Sequence, residues 1–196
     1  MTSHLLRKPQ SQSIGEGITL IQEVLTTDSP LEYVGFKLID LAVGAVYEQT
    51  LQQEECCIVA LTGKITVSEG EHVFENIGTR ESVFEKKPTD SVFVSGGASF
   101  TVQAVTPATV ALCYSPSLES LPTKLLPASG VGVVHRGKYN NQRMVHDILP
   151  DTDPSASSLL VVEVYTEGGN FSSYPPHKHD RDLLPEESLC FPCIWA

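Results

Sequence analysis

The sequence predicts an all-β protein of the antiparallel barrel or sandwich type. Three observations support this: short runs rich in β-branched residues recur at close spacing, Gly, Pro and Asn punctuate them, and patterns of helical period are scarce. The clearest piece is Cys56-Cys57-Ile58-Val59-Ala60-Leu61, a turn at Thr62-Gly63-Lys64, and a return as Ile65-Thr66-Val67, which reads as a hairpin. Ser91-Val92-Phe93-Val94 follows, then a turn at Gly96-Gly97, then Ser99 to Val105 with partial period-two alternation, and then Thr109 to Tyr114. Apolar segments near Val34 to Ile39 and Ala42 to Tyr47 complete the strands of one closed barrel over residues 16–117, after an N-terminal segment 1–15.

Residues 118–154 are richer in Pro, Ser, Gly and Asn, with little alternation, and read as a connector between domains. A second β unit opens in residues 155–196. Its strand runs from Ser158 to Tyr165, breaks at Gly168-Gly169 and leads into Phe171-Ser172-Ser173-Tyr174-Pro175-Pro176-His177-Lys178-His179-Asp180. Residues 181–196 offer room for about two strands of roughly 5 to 6 residues, too few to close a second barrel.

Composition excludes some functions. The chain is 41% hydrophobic and 19% charged, ordinary for a globular fold. Its 13 basic and 24 acidic residues give a formal net charge of -11, which argues against nucleic acid or an acidic membrane as partner. The opening Met-Thr-Ser-His-Leu-Leu-Arg-Lys-Pro lacks an apolar signal core, and no later run approaches the roughly 20 apolar residues of a spanning helix. A cytoplasmic location is therefore expected. Cys56, Cys57 and Cys113 sit inside apolar runs, where thiols act as small hydrophobes rather than as a disulfide framework.

The chemical signal is His177-Lys178-His179. In an extended segment, residues two apart share a face, so both imidazoles reach one cation, and their donor chemistry suits zinc, manganese or iron. Small metal-binding barrels often place a Glu after three or four intervening residues. Here Leu183 and Leu184 stand there, and the nearby carboxylates Asp180, Asp182, Glu186 and Glu187 read as solvated loop charges. Two imidazoles alone leave a divalent ion short of the four or more ligands it usually takes, so a weak or empty site is expected. Cys190-x-x-Cys193 is one isolated pair, and it reads as accidental. His4, His72 and His135 have no partner spacing, and His146 beside Asp147 reads as structural.

Gly168 to Asp180, followed by Leu184-Pro185-Glu186-Glu187-Ser188-Leu189, closely resembles the metal-binding segment of the 5-deoxy-glucuronate isomerases of myo-inositol breakdown. Asn140 to Pro150 resembles the inter-domain segment of that family. Glu55 to Val67, Phe74 to Gly78 and Ser82 to Glu85 resemble its first barrel. The resemblance implies a bicupin architecture of two jelly-roll barrels, complete in the first, metal-free one and incomplete in the second. It departs after Ser188-Leu189, where Cys190 to Ala196 replaces the family's acidic, Tyr-rich strand. The family's Glu and last His ligands have no counterpart here. A premature stop, a frame change or a gene-model error would each produce that switch, and reading the encoding DNA past Leu189 in three frames distinguishes them.

The implied reaction is an aldose-to-ketose isomerisation of 5-deoxy-glucuronate to 5-dehydro-2-deoxy-gluconate, impaired in this chain by the missing strands. His177 and His179 would hold a divalent metal, zinc or manganese. The partner would be a small sugar acid, with homo-oligomerisation left open. Because that substrate is a carboxylate, Arg143, Lys178 and Arg181 are the candidate substrate-binding cations, and the base is unassigned. The rival readings are a non-catalytic binding or scaffolding barrel, an inactive fragment, and a metal-dependent dioxygenase with a full ligand set.

Overall fold

The computed structural model describes residues 8–25, 31 and 33–172. The first strands are β1 (Gln12–Gly15), β2 (Ile18–Val24), β3 (Gly35–Leu41), β4 (Val46–Thr50), β5 (Glu54–Thr62), β6 (Ile65–Glu69) and β7 (His72–Ile77). They continue with β8 (Ser91–Val94), β9 (Ser99–Ala104), β10 (Ala108–Pro116), β11 (Lys124–Leu126), β12 (Gly132–Arg136), β13 (Arg143–Leu149) and β14 (Val161–Thr166). Short 3-10 turns at Val83–Glu85, Ala128–Gly130 and Tyr139–Asn141 are the helical segments among the described residues. The chain is all-β, and no helix among these residues is long and apolar enough to cross a membrane.

One sheet runs β1-β2-β3-β10-β5-β8-β11 and a second runs β4-β9-β6-β7, with antiparallel pairings throughout. The inner four strands of the first, β3-β10-β5-β8, face the second to make a jelly roll. Hydrocarbon fills the space between them: Ile39, Ile58, Val92, Val110 and Leu112 from one side meet Ile65, Val67, Phe100 and Val102 from the other.

β5 explains why its sequence shows no alternation. Cys56, Ile58 and Ala60 point into the barrel, while Cys57 and Val59 point outward into a second apolar cluster. There they meet Phe93, Ala111 and Cys113 of the same sheet and Ile148, Leu149, Leu159 and Val161 of the third sheet or the segment before it. A strand covered on both faces reads as a continuous apolar run. Cys57 stands opposite Cys113 in register, and burial pushes the Cys113 thiol up to about 12 and the Cys56 and Cys57 thiols well above their ordinary value. These are packing groups, not nucleophiles.

The expected hairpin at Thr62-Gly63-Lys64 does not form. β5 pairs with β10 and β8, whereas β6 pairs with β7 and β9, so the chain changes sheets at this corner. Gly63 makes the corner possible with φ +76, because a Cβ there would lie 2.2 Å from the Pro107 carbonyl oxygen. The Gly96-Gly97 turn likewise connects β8 and β9 in opposite sheets. Apolar run, glycine, apolar run is common to a hairpin and a sheet-switching corner, and only long-range pairing separates them. The tight hairpins are instead β1–β2, with Gly15 opposite Ile18, and β6–β7, with Glu69 opposite His72.

The third sheet, β12-β13-β14, includes two strands inside the stretch that reads as a connector. β13 hides its period because a bulge between Asp147 and Leu149 shifts the register against β14. His146, the polar residue at its centre, is fully buried.

Candidate functional site

Two polar fasteners join the third sheet and the segment before it to the jelly roll. The first is built on Arg80. Gly78 shapes the approach with φ +116 and donates its amide to Asp90 Oδ2 at 2.9 Å. The Arg80 side chain is 0% exposed. Its Nε donates to the Leu61 carbonyl at 2.8 Å, and Nη1 to the Lys87 carbonyl at 2.8 Å. Nη1 also reaches Glu163 Oε2 at 2.8 Å and Tyr165 Oη at 2.6 Å, and Nη2 reaches Glu163 Oε1 at 2.5 Å. This is a two-pronged pairing with a carboxylate on β14. Burial opposes the guanidinium charge, but the bonds to Glu163 and Tyr165 outweigh it and hold the Arg80 pKa above its ordinary value. Burial and then Glu163 push the Tyr165 hydroxyl up.

His146 on β13 stands opposite Glu163, with Nδ1 at 3.2 Å from Glu163 Oε2 and its ring edge-on to Tyr165 at 5.1 Å. Its Nε2 is buried without a hydrogen-bond partner among the described residues. Lys86 and Glu167 form a further ion pair at the rim. Beside them a groove of about 530 Å³ is lined by Leu61, Val83, Phe84, Glu163 and Tyr165, among others. Every donor nitrogen of Arg80 is already engaged, so this cluster sets strand placement rather than offering a free cation to a ligand.

The second fastener is Glu55, fully buried. Its Oε2 accepts from the Ser157 amide at 3.0 Å and hydroxyl at 2.7 Å, and its Oε1 from the Ser158 and Leu159 amides at 2.8 and 2.7 Å. The chain just before β14 is thereby wrapped around one carboxylate of the jelly roll.

A third element is the turn between β12 and β13. Gly137 has φ +85, and a Cβ there would meet the Asn141 carbonyl oxygen at 1.8 Å. Arg143 Nη1 donates to the Asn141 carbonyl at 3.1 Å and to its Oδ1 at 2.9 Å, so this candidate substrate cation buttresses the turn. The Phe171 amide donates to the Asn140 carbonyl at 2.6 Å, and Asn170 Nδ2 to the Gln142 carbonyl at 3.1 Å. The turn thus holds the chain six residues before His177.

The other sequence-predicted residues, His177, Lys178, His179 and Arg181, lie outside the described residues, as do Cys190 and Cys193. Among the described residues no group of three or more His, Cys, Asp or Glu could hold a metal ion. The jelly-roll interior is lined largely by hydrocarbon, so a cation has no ligand set there. The imidazoles of His177 and His179 and the thiols of Cys190 and Cys193 have donor chemistry that suits a divalent ion, and all four lie outside the described residues. Arg80, Glu163 and Glu55 escaped the sequence reading. Glu163 did leave a signal, a single carboxylate inside the apolar run from Leu159 to Val164.

Comparison with known proteins follows the same lines. A protein named 5-deoxy-glucuronate isomerase from Halalkalibacterium halodurans is 66% identical over 187 residues, covering 95% of this chain and 69% of the relative. One of the same name from Listeria innocua is 64% identical over 186 residues, covering 94% and 68%. The crystal structure of an IolB-like protein from Salmonella typhimurium superposes with a TM-score of 0.85 at 39% identity, over 93% of this chain and 67% of that one. The model of the KduI/IolB family matches residues 5–190, and the chain belongs to that family.

Proposed function

We propose that the chain is a sugar-acid isomerase that converts 5-deoxy-glucuronate to 5-dehydro-2-deoxy-gluconate in inositol catabolism. The observation that carries this reading is the 66% identity to a relative of that name across 95% of the chain. The reaction moves a hydrogen from carbon 2 to carbon 1 while the carbonyl moves from carbon 1 to carbon 2. A divalent ion, zinc or manganese, held by His177 and His179 would polarise both oxygens. The protein's own part is placement. Glu55 and Arg80 fix the chain on either side of Leu159 to Tyr165, and Arg143 stiffens the turn that holds Phe171. Arg143, Lys178 and Arg181 are the candidate substrate-binding cations; Arg143 gives Nη1 to Asn141, and its Nε and Nη2 are the donors left for a ligand. A cytoplasmic location fits three buried free thiols.

The test is turnover of 5-deoxy-glucuronate by this chain with added zinc or manganese. We expect ketose formation that depends on the added ion. His177→Ala or His179→Ala should remove it, by about a hundredfold or more if the ion is lost. Turnover that survives both substitutions would refute the assignment of the metal histidines.

A further inference from the structure

Arg136 of β12 and Arg143 of β13 stand directly opposite each other in register, so both side chains leave the same face of the third sheet. Thr166 of β14 continues that row beside Arg143. This face is turned away from the jelly roll, because Glu163 and Tyr165, which bond to Arg80, alternate onto the other one. Like charges directly opposite on a sheet destabilise it. The two guanidinia splay accordingly: Arg143 Nη1 bonds to Asn141 Oδ1 at 2.9 Å, and Arg136 leans back toward Asp147. The Arg136 contact is 3.9 Å long, beyond hydrogen-bond reach, and its side chain stays 54% exposed. Behind the two arginines the next row is Val134, Val145 and Val164, and Val145 is 4% exposed. The brace on Asn141 accounts for Arg143 in the fold. No comparable side-chain contact accounts for Arg136 among the described residues.

We infer that Arg136 is a specificity-determining residue of the proposed isomerase, binding the substrate carboxylate together with Nε and Nη2 of Arg143. A carboxylate presents about four lone-pair sites, and planar guanidinium forks match them in pairs. An anion between the two cations also turns their cross-strand repulsion into a shared attraction, on a chain whose net charge of -11 otherwise repels it. Thr166 adds a hydroxyl at the end of the row. The adjoining turn carries the Phe171 bond, six residues before His177 in sequence. The inference rests on the isomerase reading for its ligand, but not for the register that pairs the arginines.

Arg136→Met should raise KM for 5-deoxy-glucuronate by about tenfold with kcat little changed, the size of one charge-assisted contact. Arg136→Lys should recover part of the loss, since it keeps the charge but not the fork. Asp147→Asn separates this role from a structural one. If Arg136 served only to hold Asp147, the two changes would act alike, whereas a ligand role leaves KM in Asp147→Asn at or below wild type. Melting temperature at low ionic strength gives a readout free of turnover. Arg136→Met should melt at or above wild type, because it removes a like-charge pair. D-gluconate should raise the wild-type melting temperature more than D-glucitol, its uncharged counterpart, and Arg136→Met should lose that difference. Wild-type KM and an intact gluconate shift in Arg136→Met, or equal rises of KM in Arg136→Met and Asp147→Asn, would overturn the inference while leaving the isomerase reading intact. A gluconate shift that needs Arg136 in a chain that never isomerises would leave the anion site standing and refute that reading. A wild type with neither turnover nor a gluconate shift would refute both.

Discussion

Arg80→Met is expected to destabilise the chain by about 3–5 kcal/mol, and Arg80→Met combined with Glu163→Met to recover the part of that loss that comes from the unpaired carboxylate. The single change leaves the Glu163 carboxylate, whose side chain is 14% exposed, without its two-pronged partner. It also strands the Leu61 and Lys87 carbonyls and the Tyr165 hydroxyl. Removing one member of a buried pair leaves an uncompensated charge, whereas replacing both by hydrocarbon of similar volume is often neutral. Urea unfolding of the two variants measures this directly. A single variant within about 1 kcal/mol of wild type would show that the pair is effectively a surface salt bridge.

Glu55→Ala should be comparably severe, at about 3 kcal/mol or more, because one carboxylate serves several buried donors at once. Its loss leaves the Ser157, Ser158 and Leu159 amides without their acceptor, and Leu159 is 2% exposed. Glu55→Gln should recover little, since the amide replaces one acceptor oxygen with a donor facing other donors. Hydrogen exchange localises the effect: those three amides should lose protection ahead of the jelly-roll core. Unchanged protection there would contradict the role assigned to Glu55.

Much of the jelly roll was legible because its strands announce themselves locally. Ser91–Val94 was placed to the residue, and β9 and β10 within a residue or two at each end. What the sequence hid was connectivity. Gly63 and the Gly96-Gly97 pair mark turns, but whether such a turn closes a hairpin or changes sheets depends on β10 lying beside β5. β12 and β13 were hidden because a short exposed strand and a bulged one lack clean alternation. In the site, Arg143 stood out by position, and what the sequence did not show is that its Nη1 also braces Asn141 two residues away. Arg80 left no local mark, because its partners Glu163 and Tyr165 are more than 80 residues distant in sequence. Pairings of that range are set by packing, which periodicity does not encode.

The fastener geometry also bears on function. A buried ion pair adds little net stability over hydrocarbon, so the Arg80–Glu163 pair is better understood as fixing one register of β14 on the jelly roll. In sequence β14 is followed by Gly168-Gly169 and Phe171, the last of the described residues on this stretch to bond back to the β12–β13 turn.

The most direct test of the central claim is a carbon NMR time course of 5-deoxy-glucuronate, labelled at carbon 1, with the chain and zinc or manganese. The account predicts that the aldehyde signal of carbon 1 and its hydrate give way to a hydroxymethyl signal, with the His177→Ala chain leaving the substrate unchanged. An aldehyde signal that persists with the wild-type chain, while the Halalkalibacterium relative consumes the same substrate under the same conditions, would contradict it.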